Sequence, residues 1–445
     1  MEGKRVLEFS FKRSNQVQTQ RDKSCVKVDG ESVLIDPQLL FQRLTIAATG
    51  LLEDLPMVFN YELCSYPSSL FEASGLPRAA QKASLADCFW SMRDCGIAKL
   101  PDDLLTVLDG GSLLQRISWN VGDSFANICQ TYVQQVTMKY ADSVVVFDGY
   151  TSKLSTKDVT HIRRSNGATA QKVDFTKEMP CRMKKELFLS NIENKQHFID
   201  LLGSKLQQSG CTTVHSDEDA DLLITQTAVN CAAIKDVVVV GEGTDLLVLL
   251  CYHAGRQNHA MYLESDCKRS LGKEIKVWDI GKTKEVHGNQ CSLFPMLHAL
   301  SGCDKTSRLF GIGKGPAFKK LQSSDVLQDH ARVFLDSTSD VDAVASAGEE
   351  ILTAWYGGQP FETLDLLRFR RFAAKTHTGV TSVKVHTLPP TSIAARFHCI
   401  RSFLQCQCWI GNGCNFVPQN WGLFVKENYL LPVKCTMPPA PEQLL

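Results

Sequence analysis

Between residues 104 and 280 the chain alternates short apolar runs, each stopped by an acid or a glycine, with stretches of helical periodicity. Few folds bury that pattern. A continuous apolar run of four or five residues reads as a strand covered on both faces, and helices placed between such strands make the connections that a parallel sheet requires. The spacing therefore predicts an α/β fold with a mostly parallel sheet flanked by helices. The first run, Leu104 to Leu108, ends at Asp109-Gly110-Gly111, and the second, Val144 to Phe147, ends at Asp148-Gly149. Cys211 to Val214 is a short third strand, Val237 to Val240 a fully apolar fourth, and Lys276 to Ile280 a further one. Helical faces lie between them, with Phe125, Ile128, Tyr132, Val133 and Val136 on one, and Phe188, Ile192, Ile199, Leu202 and Leu206 on another.

The flanks differ in texture. Residues 1–103 read as a helical N-terminal region without evident chemistry, and 326–445 as a mostly helical C-terminal region ending in a proline-rich tail. In the latter, Trp421 to Val425 and Tyr429 to Val433 form a hairpin candidate. At 445 residues the chain can bury a large core, and two or three domains are expected. No apolar run approaches the roughly 18–20 residues that span a bilayer, and the first residues lack the apolar core of a signal peptide, so an intracellular protein without membrane contact is expected. Seventeen cysteines without a CxxC pair read as buried free thiols rather than a disulfide framework. The formal net charge is zero, so any nucleic-acid contact must come from local patches. Residues 153–186 supply one, with nine Lys/Arg against four Asp/Glu.

Acids gather where a parallel sheet places ligands. In such a sheet the binding crevice lies beyond the carboxyl ends of the strands. Asp109, Asp148 and the Glu242/Asp245 loop close three strands there, and the acidic helix start at Asp217-Glu218-Asp219-Ala220-Asp221 follows a fourth. Asp304 stands in Ser301 to Leu321, ahead of the turn Gly311-Ile312-Gly313-Lys314 and of a helix expected from Ala317 through Lys319 and Lys320. Glycines let backbone N–H groups approach a phosphate, and a helix start attracts an anion. Taken singly, each Asp-Gly pair can be an ordinary strand-ending turn. Taken together, carboxylates at one sheet edge repel unless cations neutralise them. Oxygen-only ligands favour Mg²⁺ or Mn²⁺, and two such ions roughly 3.5–4 Å apart activate water for attack on a phosphodiester.

The motifs VLDGG, VVVFDGY, DEDADLLI, GEGTDLLVLL and SGCDKTSRLFGIGKGPAFKKL, in this order over residues 104–325, resemble the flap-endonuclease and structure-specific 5′-nuclease superfamily of the PIN-like fold. The resemblance implies metal ligands at Asp109, Asp148, Asp219, Asp221, Asp245 and Asp304, with Glu218 and Glu242 as substitutes. It also implies a DNA-gripping element at Gly311, Gly313, Lys314, Lys319 and Lys320, and a basic helix at Lys157 to Arg164 offering His161, Arg163 and Arg164 to the scissile phosphate. Residue 243 is Gly where that family carries an acid. The whole chain also resembles uncharacterised animal proteins associated with mobile elements. These resemblances imply a metal-dependent nuclease acting on DNA, or on RNA, of single-stranded or branched character in the nucleus. The alternative is a catalytically impaired nucleic-acid-binding or scaffold protein. Cys399, Cys406, Cys408 and Cys414 with His398 match no common zinc spacing and read as helix-face residues.

Overall fold

The structure is a computed structural model that describes residues 56–92, 95–140, 142–150, 170–217, 219–255, 259–265, 277–377, 383–427 and 429–442, together with the backbone of 24–28 and 31–35. His161, Arg163, Arg164 and Glu218 lie outside the described residues. Described in the N-terminal region are an antiparallel hairpin of β1 (Ser24–Val28) and β2 (Glu31–Ile35) and the helix α1 (Ala83–Met92).

The central sheet and its helices follow in alternation. These are β3 (Leu105–Asp109), α2 (Gly110–Arg116), α3 (Phe125–Lys139), β4 (Ser143–Phe147), the short α4 (Lys185–Phe188), α5 (Ile192–Gln208) and β5 (Thr212–His215). Next come α6 (Asp221–Cys231), β6 (Val237–Gly241), α7 (Thr244–His253), β7 (Met261–Ser265), β8 (Val277–Asp279), α8 (Ile280–His287) and α9 (Phe294–Leu300). The strand order is β5-β4-β3-β6-β7-β8, with every neighbouring pair parallel except β7 and β8. This is the expected α/β architecture. All five residues of β6 are buried, as a strand covered on both faces requires.

Helices α10 (Lys314–Gln322), α11 (Asp325–Val333), α12 (Val341–Trp355), α13 (Leu364–His377) and α14 (Ser392–Ile410) complete the chain with the hairpin β9 (Leu423–Lys426) and β10 (Tyr429–Pro432). The two faces of the sheet carry separate cores. One holds Leu113, Phe125, Tyr132, Phe198 and Leu202 from α2, α3 and α5. The other joins α6, α7 and α9 to both flanks, since Phe71, Leu85 and Phe89 pack in the same cluster as Trp355, Leu364, Phe403 and Cys406. Phe89 of α1 stacks on Phe294 at 4.4 Å and meets Phe318 edge-on at 5.1 Å. The flanking helices are thus walls of the central unit.

Candidate active site

Parallel pairing brings the acid-bearing strand ends to one edge. Asp109 ends β3 level with Val146 of β4, so that Asp148 stands two residues beyond it, and Glu242 follows directly on β6. These residues line a cleft of about 700 Å³ whose wall also includes Asp219, Asp221, Asp245 and Asp304. Every acid expected at the site and described in the structure therefore faces one space.

Within it the carboxylates form two groups. Asp109 caps α2, accepting from Ser112 N at 3.1 Å, while Asp148 Oδ1 accepts from Ala220 N at 2.9 Å and Oδ2 from the Tyr150 hydroxyl at 3.1 Å. The Lys195 ammonium donates to that hydroxyl and lies 3.9 Å from the Tyr150 ring centre. A Cβ on Gly111 would stand 3.2 Å from both Asp109 Oδ1 and Asp148 Oδ2, so the two carboxylates flank a cradle kept open by the missing side chain. Burial pushes the Asp109 carboxyl up to about 6; the N–H groups of Ser112 and Gly111 oppose the shift, and the neighbouring Asp148 charge adds to it.

The second group is organised by protein cations. Lys82, just before α1, donates to Asp245 Oδ2 and stands 2.7 Å from Asp304 Oδ2. Asp245 also accepts from His298 Nε2 at 2.6 Å. Burial favours the neutral Asp245 carboxyl, yet Lys82 and His298 together hold it well below the ordinary carboxylate range. His298 is fully buried in α9 and is depressed to about 4, chiefly by that burial and then by Lys314. Lys305 closes a further ion pair with Asp219 at 2.9 Å, and Asp219 Oδ1 accepts from Asp221 N at 3.2 Å.

Asp304 reaches the cleft because the chain turns sharply after α9. Gly302 has φ +109°, and a Cβ there would lie 2.7 Å from Arg308 Cα, so only glycine fits. Thr306 Oγ1 ties the turn together, accepting from Cys303 N at 3.0 Å and donating to Ala299 O at 2.6 Å.

Several expectations need correction. Helix α10 begins at Lys314 rather than at Ala317. Lys314 is buried, and its ammonium donates inward to His298 O at 3.0 Å and Ser301 Oγ at 2.8 Å instead of facing a phosphate. Lys320 donates to Ala354 O and Trp355 O, the carbonyls ending α12. Lys319, Gly311 and Gly313 remain exposed. Among the described residues no three His, Cys, Asp or Glu side chains converge as a metal site, which includes the cysteines of α14 and His398. The described cysteines are free thiols.

Lys82, Lys305 and His298 escaped the sequence reading. Lys305 adjoins Asp304 and His298 interrupts an apolar helix; both signals were present. Lys82 carries a weaker one, a cation at a helix start, where the dipole disfavours it.

Neither a protein-family model nor a curated protein sequence matches the chain. Among solved structures it is similar to the catalytic core of Rad2 in complex with DNA substrate, at 13% identity over 63% of this chain and 74% of that one, with a TM-score of 0.33. It is similar also to a flap endonuclease of bacteriophage T5 in a complex with DNA and metal ions, at 13% identity over 70% of this chain and 99% of that one, with a TM-score of 0.32. A third is human GEN1 in complex with Holliday junction DNA, at 13% identity over 69% and 72% of the two chains, with a TM-score of 0.31. These are likenesses of chain path at low identity and give no residue a role.

Proposed function

We propose that the protein is a divalent-metal-dependent nuclease that hydrolyses phosphodiester bonds, with DNA of single-stranded or branched character as its substrate. The observation that carries this reading is the pair Asp109 and Asp148, which close adjacent parallel strands and flank the open position at Gly111 on the wall of the acidic cleft. The donor set fits Mg²⁺ or Mn²⁺: Mg²⁺ is commonly held by one or two carboxylates, the remaining positions going to water and to substrate phosphate. When bound there, such an ion supplies Lewis-acid stabilisation of charge on the phosphate oxygens.

The chain's own groups do the rest. Ala220 N and the Tyr150 hydroxyl fix the direction of Asp148, and Lys195 holds Tyr150 in place. Lys82, Lys195 and Lys305 bring positive charge to an acid-rich cleft, which permits the approach of a phosphate backbone. Tyr429 on β10 lines the same cleft, 46% exposed, and offers a ring face to an unstacked base.

A binding-only reading has one observation in its favour, since Lys82 and Lys305 already form ion pairs with three of the cleft carboxylates. Labelled flap, duplex and single-stranded DNA, with RNA counterparts, distinguish the two. The nuclease reading expects cleavage of single-stranded or branched DNA in Mn²⁺ or Mg²⁺ that stops in EDTA. Binding without cleavage of any substrate under either metal overturns it in favour of the second reading.

A further inference from the structure

The cation between Asp245 and Asp304 belongs to the protein itself. Lys82 reaches both carboxylates, one from the start of α7 and one from the turn after α9, and its side chain is only 21% exposed. Its position is anchored: α1 is pinned in the core through Leu85 and Phe89, so its first turn cannot swing away without disrupting the ring cluster with Phe294 and Phe318. A lysine at a helix start meets the positive end of the dipole, and here two carboxylates offset that cost. Burial disfavours the Lys82 ammonium, but the Asp245 and Asp304 charges outweigh it and raise its pKa, so it stays charged throughout the physiological range. The other oxygen of Asp245 is occupied by His298.

We propose that the Lys82 ammonium takes the place of a second divalent cation between Asp245 and Asp304, leaving the cleft to bind a single ion at Asp109 and Asp148. The assignment rests on the metal-dependent reading above. It makes Asp245 and Asp304 holders of a fixed charge and Lys82 a positioning residue, one that presents permanent positive charge to a substrate phosphate beside the exchangeable ion. A two-ion site is then not expected.

Counting bound Mn²⁺ by calorimetry and by electron paramagnetic resonance tests this without recourse to activity. Wild type is expected to bind about one ion per chain. Lys82→Met and Lys82→Gln are expected to bind a second, to melt lower than wild type in EDTA, and to recover that loss in Mn²⁺. Asp304→Asn should leave the count at one. Lys82→Gln keeps a donor to the carboxylates and guards against a folding failure of Lys82→Met. Two ions in wild type, or one ion in both Lys82 variants, overturn the role of Lys82 and leave the nuclease reading standing. No ion in any of the proteins overturns both.

Discussion

Gly243 stands at φ +125° and ψ 148°, capping the start of α7 in a backbone region that side chains rarely enter. The family resemblance places an acid at this position, and the backbone excludes it before any chemistry is considered. Gly243→Asp should therefore cost about 1–3 kcal/mol of stability, read by urea denaturation, and should leave Mg²⁺-supported cleavage no faster. A variant of unchanged stability that cleaves faster would contradict the assignment. Asp109 is the complementary case. Its folded carboxyl titrates near 6, above the unfolded value, so stability falls as pH rises from the unfolded pKa to about 6, and the whole cost is present at neutral pH. Asp109→Asn should melt higher than wild type in EDTA at pH 7.5, by roughly 1 °C for each kcal/mol relieved, while losing cleavage. A lower melting temperature would mean that the carboxylate is compensated in some other way.

At the scale of elements, α10 shows how a shift of three residues in a helix start changes the role of a side chain. Placed in a loop, Lys314 reads as a phosphate clamp; placed at the first residue of α10, it points inward to His298 O and Ser301 Oγ. Burial lowers its pKa to about 7. Lys314→Ala should cost about 1–3 kcal/mol by stranding those buried partners and should leave the salt dependence of DNA binding unchanged. Lys319→Ala, on an exposed face, should leave stability within about 0.5 kcal/mol and reduce the salt slope by about 1 if it contacts a phosphate. Titrations at several salt concentrations separate the two residues, and the opposite pattern would restore the clamp to Lys314. The strands were readable because an apolar run closed by Asp-Gly has one economical burial. Helix α10 was misplaced because Gly313 and Lys314 suit a loop and an uncapped helix start equally well. The hairpin β9–β10 was readable to within two residues from its apolar strands.

At the scale of the whole molecule, the packing partners of the flanks could not be assigned from sequence because an amphipathic helix announces an apolar face without naming what covers it. Leu85 and Phe89 in the N-terminal flank and Phe403 in the C-terminal flank share one core with α7 and α9, so the acids at the sheet edge are walled by both flanks. That packing is also why Lys82 was invisible: 163 positions separate it from Asp245. The same core holds two neutral imidazoles, with burial depressing His298 to about 4 and His398 to about 3. Each binds protons more readily in the unfolded chain, so stability present above about pH 6.5 is lost as pH falls toward those values, by at most about 1.4 kcal/mol per pH unit per residue. Wild-type melting should fall below pH 6.5, and His398→Gln should flatten the acid limb relative to wild type. An unchanged limb would place the acid sensitivity elsewhere. The central claim, that Asp109 and Asp148 form the metal-dependent hydrolytic site, is tested most directly by single-turnover cleavage of branched DNA in Mn²⁺ by wild type and Asp148→Asn, with melting recorded on the same samples. Cleavage is predicted for wild type alone, with both proteins correctly folded; cleavage at wild-type rate by Asp148→Asn would contradict the claim.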